Sequence, residues 1–251
     1  MNNDNYEKFY DEGYQIIPNF ITPEEAARFK SKSIDICKQQ AHDFGIDNIN
    51  SIDEQNIARS PFLFDSEFEN LFYNQKALQI VSDILGEYAI LSLQNSIIVP
   101  PNDEHHQSFY HRDIIYQEFI SSRPLAINLY YCLDDYDEQN GGTAFIPESH
   151  KQEKMISESN SITPIVKAGS VILFNSMTFH KAGINKTSNN RCGVNNMYTL
   201  PFVKQQINYP NCYGPPTEDL KLNRLLGYQS REFNSVRDFR EYRLKRTQND
   251  K

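Results

Sequence analysis

Ser108-Phe109-Tyr110-His111-Arg112-Asp113 is the stretch on which the reading of this chain turns. In an extended strand over 110–116, His111 and Asp113 stand two residues apart and project from the same face. An imidazole and a carboxylate side by side on a rigid strand fit adjacent positions on one metal ion. Downstream, Ser170-Val171-Ile172-Leu173-Phe174 is an apolar run of strand length, and His180 follows it. A second imidazole there closes a third position. Two imidazoles and one carboxylate on one side of an octahedron leave the other side open, an arrangement suited to Fe(II), an organic co-substrate and O2.

A lone His-x-Asp is more often a surface pair than a ligand set, so its company decides. Arg191 follows His180 across Asn185-Lys186-Thr187-Ser188-Asn189-Asn190, a polar loop that reads as a connection between strands. A guanidinium placed deep in a barrel holds a dicarboxylate through two parallel hydrogen bonds.

Four blocks, in order along residues 9 to about 200, resemble the phytanoyl-CoA dioxygenase family of Fe(II)/2-oxoglutarate oxygenases. They are Phe9-Tyr10-Asp11-Glu12-Gly13-Tyr14 with Ile17-Pro18-Asn19-Phe20; His111-Arg112-Asp113; Asn140-Gly141-Gly142-Thr143-Ala144-Phe145-Ile146-Pro147-Glu148-Ser149-His150; and His180-Lys181-Ala182-Gly183-Ile184-Asn185 with Arg191. The combination is far more specific than any block alone. The resemblance implies Fe(II) on His111, Asp113 and His180, and 2-oxoglutarate with its far carboxylate on Arg191. It also implies a further hydroxyl contact from Thr143. The implied reaction uses O2 to oxidise, most simply to hydroxylate, a small-molecule metabolite, with release of succinate and CO2. The chain departs from the family at two positions. Glu148 stands where Gly is usual, and Ala182 where many members carry a Ser that helps bind the co-substrate and others carry Ala. The last fifty residues match nothing in the family pattern.

Length suits one domain: 251 residues, 39% of them apolar, with 16 Phe and 15 Tyr to fill a core. Lys and Arg number 25 against 33 acids, a net charge of −8. Such a surface repels phosphate backbones and anionic membranes, so neither nucleic acid nor membrane is an expected partner. The four cysteines, Cys37, Cys132, Cys192 and Cys212, show no paired spacing and read as reduced thiols. A polar N-terminus and the lack of a long apolar run point to a cytoplasmic location. No feature specifies an oligomeric state.

Along the chain, Thr22 caps a helix that opens with Pro23, Glu24 and Glu25 and runs to about Gln40. Residues 41–60 read as a loop. Helices fit 65–73 and 75–85, the second closed by Gly86. From Tyr88 the period becomes two, with strands expected at 88–99, 125–133, 142–146, 162–166, 170–175 and 191–200. The fold class is therefore mainly β with flanking helices, a double-stranded β-helix (jelly roll, cupin-like). One domain over 1–251 divides into a helical lead-in at about 20–86, a jelly-roll core at about 88–203 and a C-terminal helical extension at about 205–251. Within the extension, helices fit 217–227 and 234–246. The aromatic side of the latter is expected to dock on the acidic body; an anion-binding lid over the active-site mouth, or a dimer contact, is the competing reading.

Gln94, Asn128 and Tyr130 sit on the expected inward faces of their strands and are candidate substrate contacts. Arg112 must point away from the ligands, which suggests a surface or interstrand ion pair. Two other readings compete. A non-catalytic metal-binding jelly roll that senses or binds a ligand has no need of a dicarboxylate clamp. A cupin-type isomerase or hydrolase would carry more histidines in tighter spacing.

Overall fold

Strict alternation through Leu125–Leu133 dictates the layer structure of the protein. In the computed structural model, which describes residues 3–102, 106–114, 119–155 and 157–249, Ile127, Leu129 and Tyr131 face a layer of helices. Tyr130 and Cys132 face the opposite way, into a second apolar cluster with Phe145, Phe174 and Ala182. The strand is buried on both faces.

The strands are β1 (Tyr14–Ile17), β2 (Ile57–Arg59), β3 (Ile90–Val99), β4 (Ala126–Cys132), β5 (Thr143–Phe145), β6 (Val171–Asn175), β7 (His180–Ala182) and β8 (Arg191–Thr199). Six of them form an antiparallel sheet in the order β1-β6-β4-β8-β3-β2, and β5 pairs with β7 in a small second sheet. Isolated bridges widen the small sheet, His111 beside His180 on one edge and Ile162 beside Phe145 on the other. The result is a jelly roll whose minor sheet is reduced to short segments. Instead of the strand expected at 162–166 there are two single bridges, Phe145–Ile162 and Tyr136–Val166. Of the strand expected at 110–116 only the His111 bridge is regular, and residues 115–116 lie outside the described residues.

The helices are α1 (Glu7–Glu12), α2 (Pro23–Phe44), α3 (Ile46–Ser51), α4 (Glu69–Phe72), α5 (Gln75–Leu85), α6 (Tyr209–Tyr213), α7 (Leu220–Leu225) and α8 (Val236–Asn249). Thr22 and Glu25 form a capping box at the start of α2, Thr22 Oγ1 accepting from Glu25 N at 3.2 Å and Glu25 Oε2 accepting from Thr22 N at 2.8 Å. Residues 41–60 are not a loop. They finish α2, form α3 and supply β2, which pairs with β3 through Ile57, Ala58 and Arg59. Phe29, Ala77, Tyr209, Leu222 and Leu225 share one buried cluster with the main sheet, so the lead-in and the early extension cover the same face. Around α8 the ring contacts among the described residues are local: Phe233, just before the helix, packs on Phe239 at 5.2 Å and on Tyr242 at 5.1 Å. No helix among the described residues is long and apolar enough to cross a membrane.

A bulge between Leu91 and Leu93 shifts the parity of β3 and moves Gln94 to the helix-facing side. There its side chain accepts from Phe62 N at 3.1 Å and donates to Phe68 O at 3.0 Å and Asn196 Oδ1 at 2.8 Å. Gln94 is thus a buried latch between sheet and helices, not a wall of the cleft.

Glu148 adopts φ +62°, the left-handed region in which a side chain costs about 1–2 kcal/mol. That explains why Gly is usual at this position. Glu148→Gly should raise stability by about 0.5–1 kcal/mol once the extra freedom of the unfolded chain is subtracted. A urea midpoint that fails to rise, or falls, would show that the Glu148 side chain makes a compensating contact.

Candidate active site

Two reciprocal main-chain hydrogen bonds, His111 N to His180 O at 3.0 Å and His180 N to His111 O at 3.1 Å, set the two imidazoles side by side. Asp113 N donates to Ser176 O at 3.0 Å and brings the carboxylate to the same rim. The ring centroids of His111 and His180 lie 4.4 Å apart. Asp113 Oδ1 lies 3.6 Å from His180 Nε2 and 3.9 Å from His111 Nε2. One donor atom from each of the three residues falls within 4.8 Å of the others, close enough to share a cation.

Tautomer and orientation are fixed by neighbours. His111 Nδ1 faces Phe109 O at 2.9 Å and His180 Nδ1 faces Thr178 O at 3.0 Å. A carbonyl only accepts, so both Nδ1 atoms carry a proton, and Nε2 is the atom each ring can turn to a metal. Burial pushes the His180 pKa down, against the opposing pull of Asp113, which keeps that ring neutral at pH 7. Asn128 Nδ2 donates to Asp113 Oδ2 at 2.7 Å and to Ser176 Oγ at 2.8 Å. With Oδ2 occupied, Oδ1 is left towards the imidazoles.

Ile97, Gln107, Tyr130, Thr143, Phe174, Ala182, Arg191 and Asn195 line the cleft with this trio. Arg191, at the start of β8, is only 2% exposed. Its NH1 donates to Tyr130 Oη at 3.3 Å, its NH2 to Gly141 O, and its guanidinium lies 4.4 Å from the Tyr136 ring centroid. Its Nε has no partner, and among the described residues no carboxylate pairs with it. Burial holds the Tyr130 and Tyr136 phenols above their usual pKa, so both stay neutral at pH 7. A buried cation among neutral dipoles, facing a cleft, is chemically incomplete without an anion. A dicarboxylate would supply one, and two imidazoles with one carboxylate are donors suited to Fe(II). The residues fit both groups.

Two glycines make room for this arrangement. Gly141 has φ +74°, and a Cβ there would meet Gly183 O at 2.5 Å. On Gly193 a Cβ would overlap the Tyr130 ring and the Tyr136 hydroxyl.

The structure therefore brings together His111, Asp113, His180, Arg191, Thr143 and Tyr130. Asn128 touches Asp113 rather than the open cleft, and Gln94 lies on the other side of the sheet. Arg112 points away from the ligands as expected, yet it is 7% exposed, and its hydrogen-bond partners among the described residues include the main-chain carbonyls of Met177 and Ser149. Asn195 and Tyr136 were not singled out from sequence. Asn195 shares a face with Arg191 by period two, a usable signal, whereas Tyr136 sits in a loop with none.

A family model for phytanoyl-CoA dioxygenase matches residues 9–193. The chain belongs to the phytanoyl-CoA dioxygenase family. That makes it an Fe(II)/2-oxoglutarate oxygenase. It is similar to the uncharacterized protein Rv1501 of Mycobacterium tuberculosis, 24% identical over 90% of this chain and 87% of the relative. Among solved structures it resembles the non-heme monooxygenase ThoJ in a nickel complex, with TM-score 0.62, 19% identity and coverage of 80% of this chain and 79% of that one. It also resembles the epimerase SnoN in complex with Fe3+, alpha ketoglutarate and nogalamycin RO, with TM-score 0.59, 14% identity and coverage of 84% and 89%. At these identities the solved structures speak for the shared jelly-roll fold.

Asn128→Leu should weaken Co(II) binding to the metal-free protein about ten-fold or more, because Asp113 loses the contact that aims it. Calorimetric titration checks this, and an unchanged affinity would make Asn128 a packing residue only.

Proposed function

We propose that this oxygenase hydroxylates a small-molecule metabolite, coupling the oxidation to conversion of 2-oxoglutarate into succinate and CO2. The observation that carries the reading is one cleft holding both the His111, Asp113, His180 trio and Arg191, which pairs with no carboxylate among the described residues. In this reading His111 and His180 bind Fe(II) through Nε2 and Asp113 binds it through Oδ1. Arg191 pairs with the far carboxylate of 2-oxoglutarate, while the Tyr130 and Thr143 hydroxyls add hydrogen bonds. Fe(II) and 2-oxoglutarate, when bound, supply the activation and two-electron reduction of O2, whose triplet ground state reacts sluggishly with closed-shell molecules. Phe174 and Ile97 give the cleft apolar walls that exclude water beside these polar groups. The substrate stays near the more exposed His111, since His180 is buried.

Arg191→Leu tests the assignment. A planar fork facing a carboxylate is not reproduced by an apolar side chain, and the unpaired carboxylate costs on the order of 2–5 kcal/mol. The affinity for 2-oxoglutarate should fall roughly thirty-fold or more. Fe(II) affinity should change little, and a monocarboxylic 2-oxoacid should lose much less. Anaerobic titrations of the Fe(II)-protein, read at the charge-transfer band of the chelate, separate these cases. Equal losses for the two oxoacids would place the carboxylate clamp elsewhere.

A further inference from the structure

The segment that carries His111 and Asp113 is poorly supported by regular structure. Its described main-chain bonds run to one neighbour, the connection from β6 into β7: His111 N and O pair with His180, and Asp113 N reaches Ser176 O. Neither ligand sits in a ladder with strands on both sides. Yet a metal centre needs its donor atoms held to within about half an ångström. Between the two ligands, on the opposite face, lies Arg112.

Its guanidinium is buried and donates to four main-chain carbonyls of the described residues. Nε donates to Met177 O at 2.8 Å, NH1 to Glu153 O at 2.9 Å, and NH2 to Ser149 O at 2.8 Å and to Gln152 O. The same group lies 4.2 Å from the centroid of the Phe179 ring, the residue before His180. Met177 and Phe179 belong to the connection that presents His180. Ser149, Gln152 and Glu153 belong to the turn after β5. That turn is itself anchored: Ser149 Oγ accepts from Phe179 N at 2.8 Å and donates to Ile146 O at 2.6 Å, and Glu148 N donates to Glu12 O at 2.9 Å. One side chain thus crosslinks the segment bearing two ligands, the segment bearing the third, and a turn fixed to the N-terminal helix.

We infer that Arg112 is a positioning residue, which sets the spacing of His111, Asp113 and His180 by fastening their backbones together. This rests on the metal reading of the trio. Carbonyl partners suit the task, because they hold the guanidinium at fixed points of backbone rather than at the end of a mobile carboxylate. Lysine cannot replace it: three donors on one nitrogen do not span carbonyls spread around a planar fork. Among groups of this kind around metal sites, loss of an outer support weakens metal affinity about 10–100-fold.

The test uses Co(II) added to the metal-free protein, with affinity and visible d–d spectrum as readouts beside the thermal midpoint of the metal-free fold. Arg112→Lys and Arg112→Met should bind Co(II) about ten-fold or more weakly and give an altered spectrum at saturation. Tyr198→Phe removes a buried hydrogen bond of 2.9 Å to Phe72 O in the helical layer. It should lower the thermal midpoint while leaving Co(II) affinity and spectrum as in the parent. Phe179→Leu, which keeps the guanidinium and removes the ring beneath it, should shift affinity in the same direction by less. It also serves if the Arg112 variants do not fold. Arg112 variants, or Phe179→Leu in their place, that lose stability but bind Co(II) with parental affinity and spectrum would overturn the positioning role. A parent protein that takes up no Co(II) would instead overturn the metal centre, and this inference with it.

Discussion

The reciprocal hydrogen-bond pair between His111 and His180 is the contact on which the site depends. It is a single bridge, not a strand, yet it fixes two imidazoles from distant parts of the sequence at a ring separation of 4.4 Å. Because side chains alternate along extended backbone, the same bridge sends Arg112 to the far face and Asp113 back towards the imidazoles. Everything else around the trio stabilises that local geometry. Carbonyls of Phe109 and Thr178 choose the tautomers, and Asn128 chooses the carboxylate oxygen.

A second constraint is electrostatic. Arg191 is buried beside two neutral phenols and a carbonyl, an arrangement costly for a cation unless an anion arrives. The main sheet places it there through the pairing of Arg191 with Val99 at the end of β3. In the proposed reading the fold commits stability to a group whose partner comes from solution. Such expense is expected at a binding site and has no purpose in a merely packed core. Gly193 and Gly141 are part of the same commitment, since side chains there would displace the tyrosines or the accepting carbonyl.

Most of the major sheet was legible because β4, β6 and β8 carry clean period-two or continuous apolar patterns, and buried strands leave few other choices. His111, Asp113, His180 and Arg191 stood out by residue type, spacing and order. What escaped was set by tertiary context. A one-residue bulge after Leu91 reversed the facing of Gln94, which no local pattern announces. Ile57-Ala58-Arg59 is too short a run to declare a strand, and it exists because β3 offers an edge. Asn128 was placed on the right face but given the wrong neighbour, since the approach of Asp113 depends on a segment with almost no regular structure. Arg112 suggested a surface or interstrand ion pair, because the backbone carbonyls it meets among the described residues are acceptors that sequence does not display.

Anaerobic crystals loaded with Mn(II) and 2-oxoglutarate, with data collected at the manganese edge, test the central claim directly. The expected result is one anomalous peak bonded to His111 Nε2, Asp113 Oδ1 and His180 Nε2, with the far carboxylate of 2-oxoglutarate on Arg191. A peak elsewhere, or a co-substrate whose far carboxylate lies away from Arg191, would contradict it.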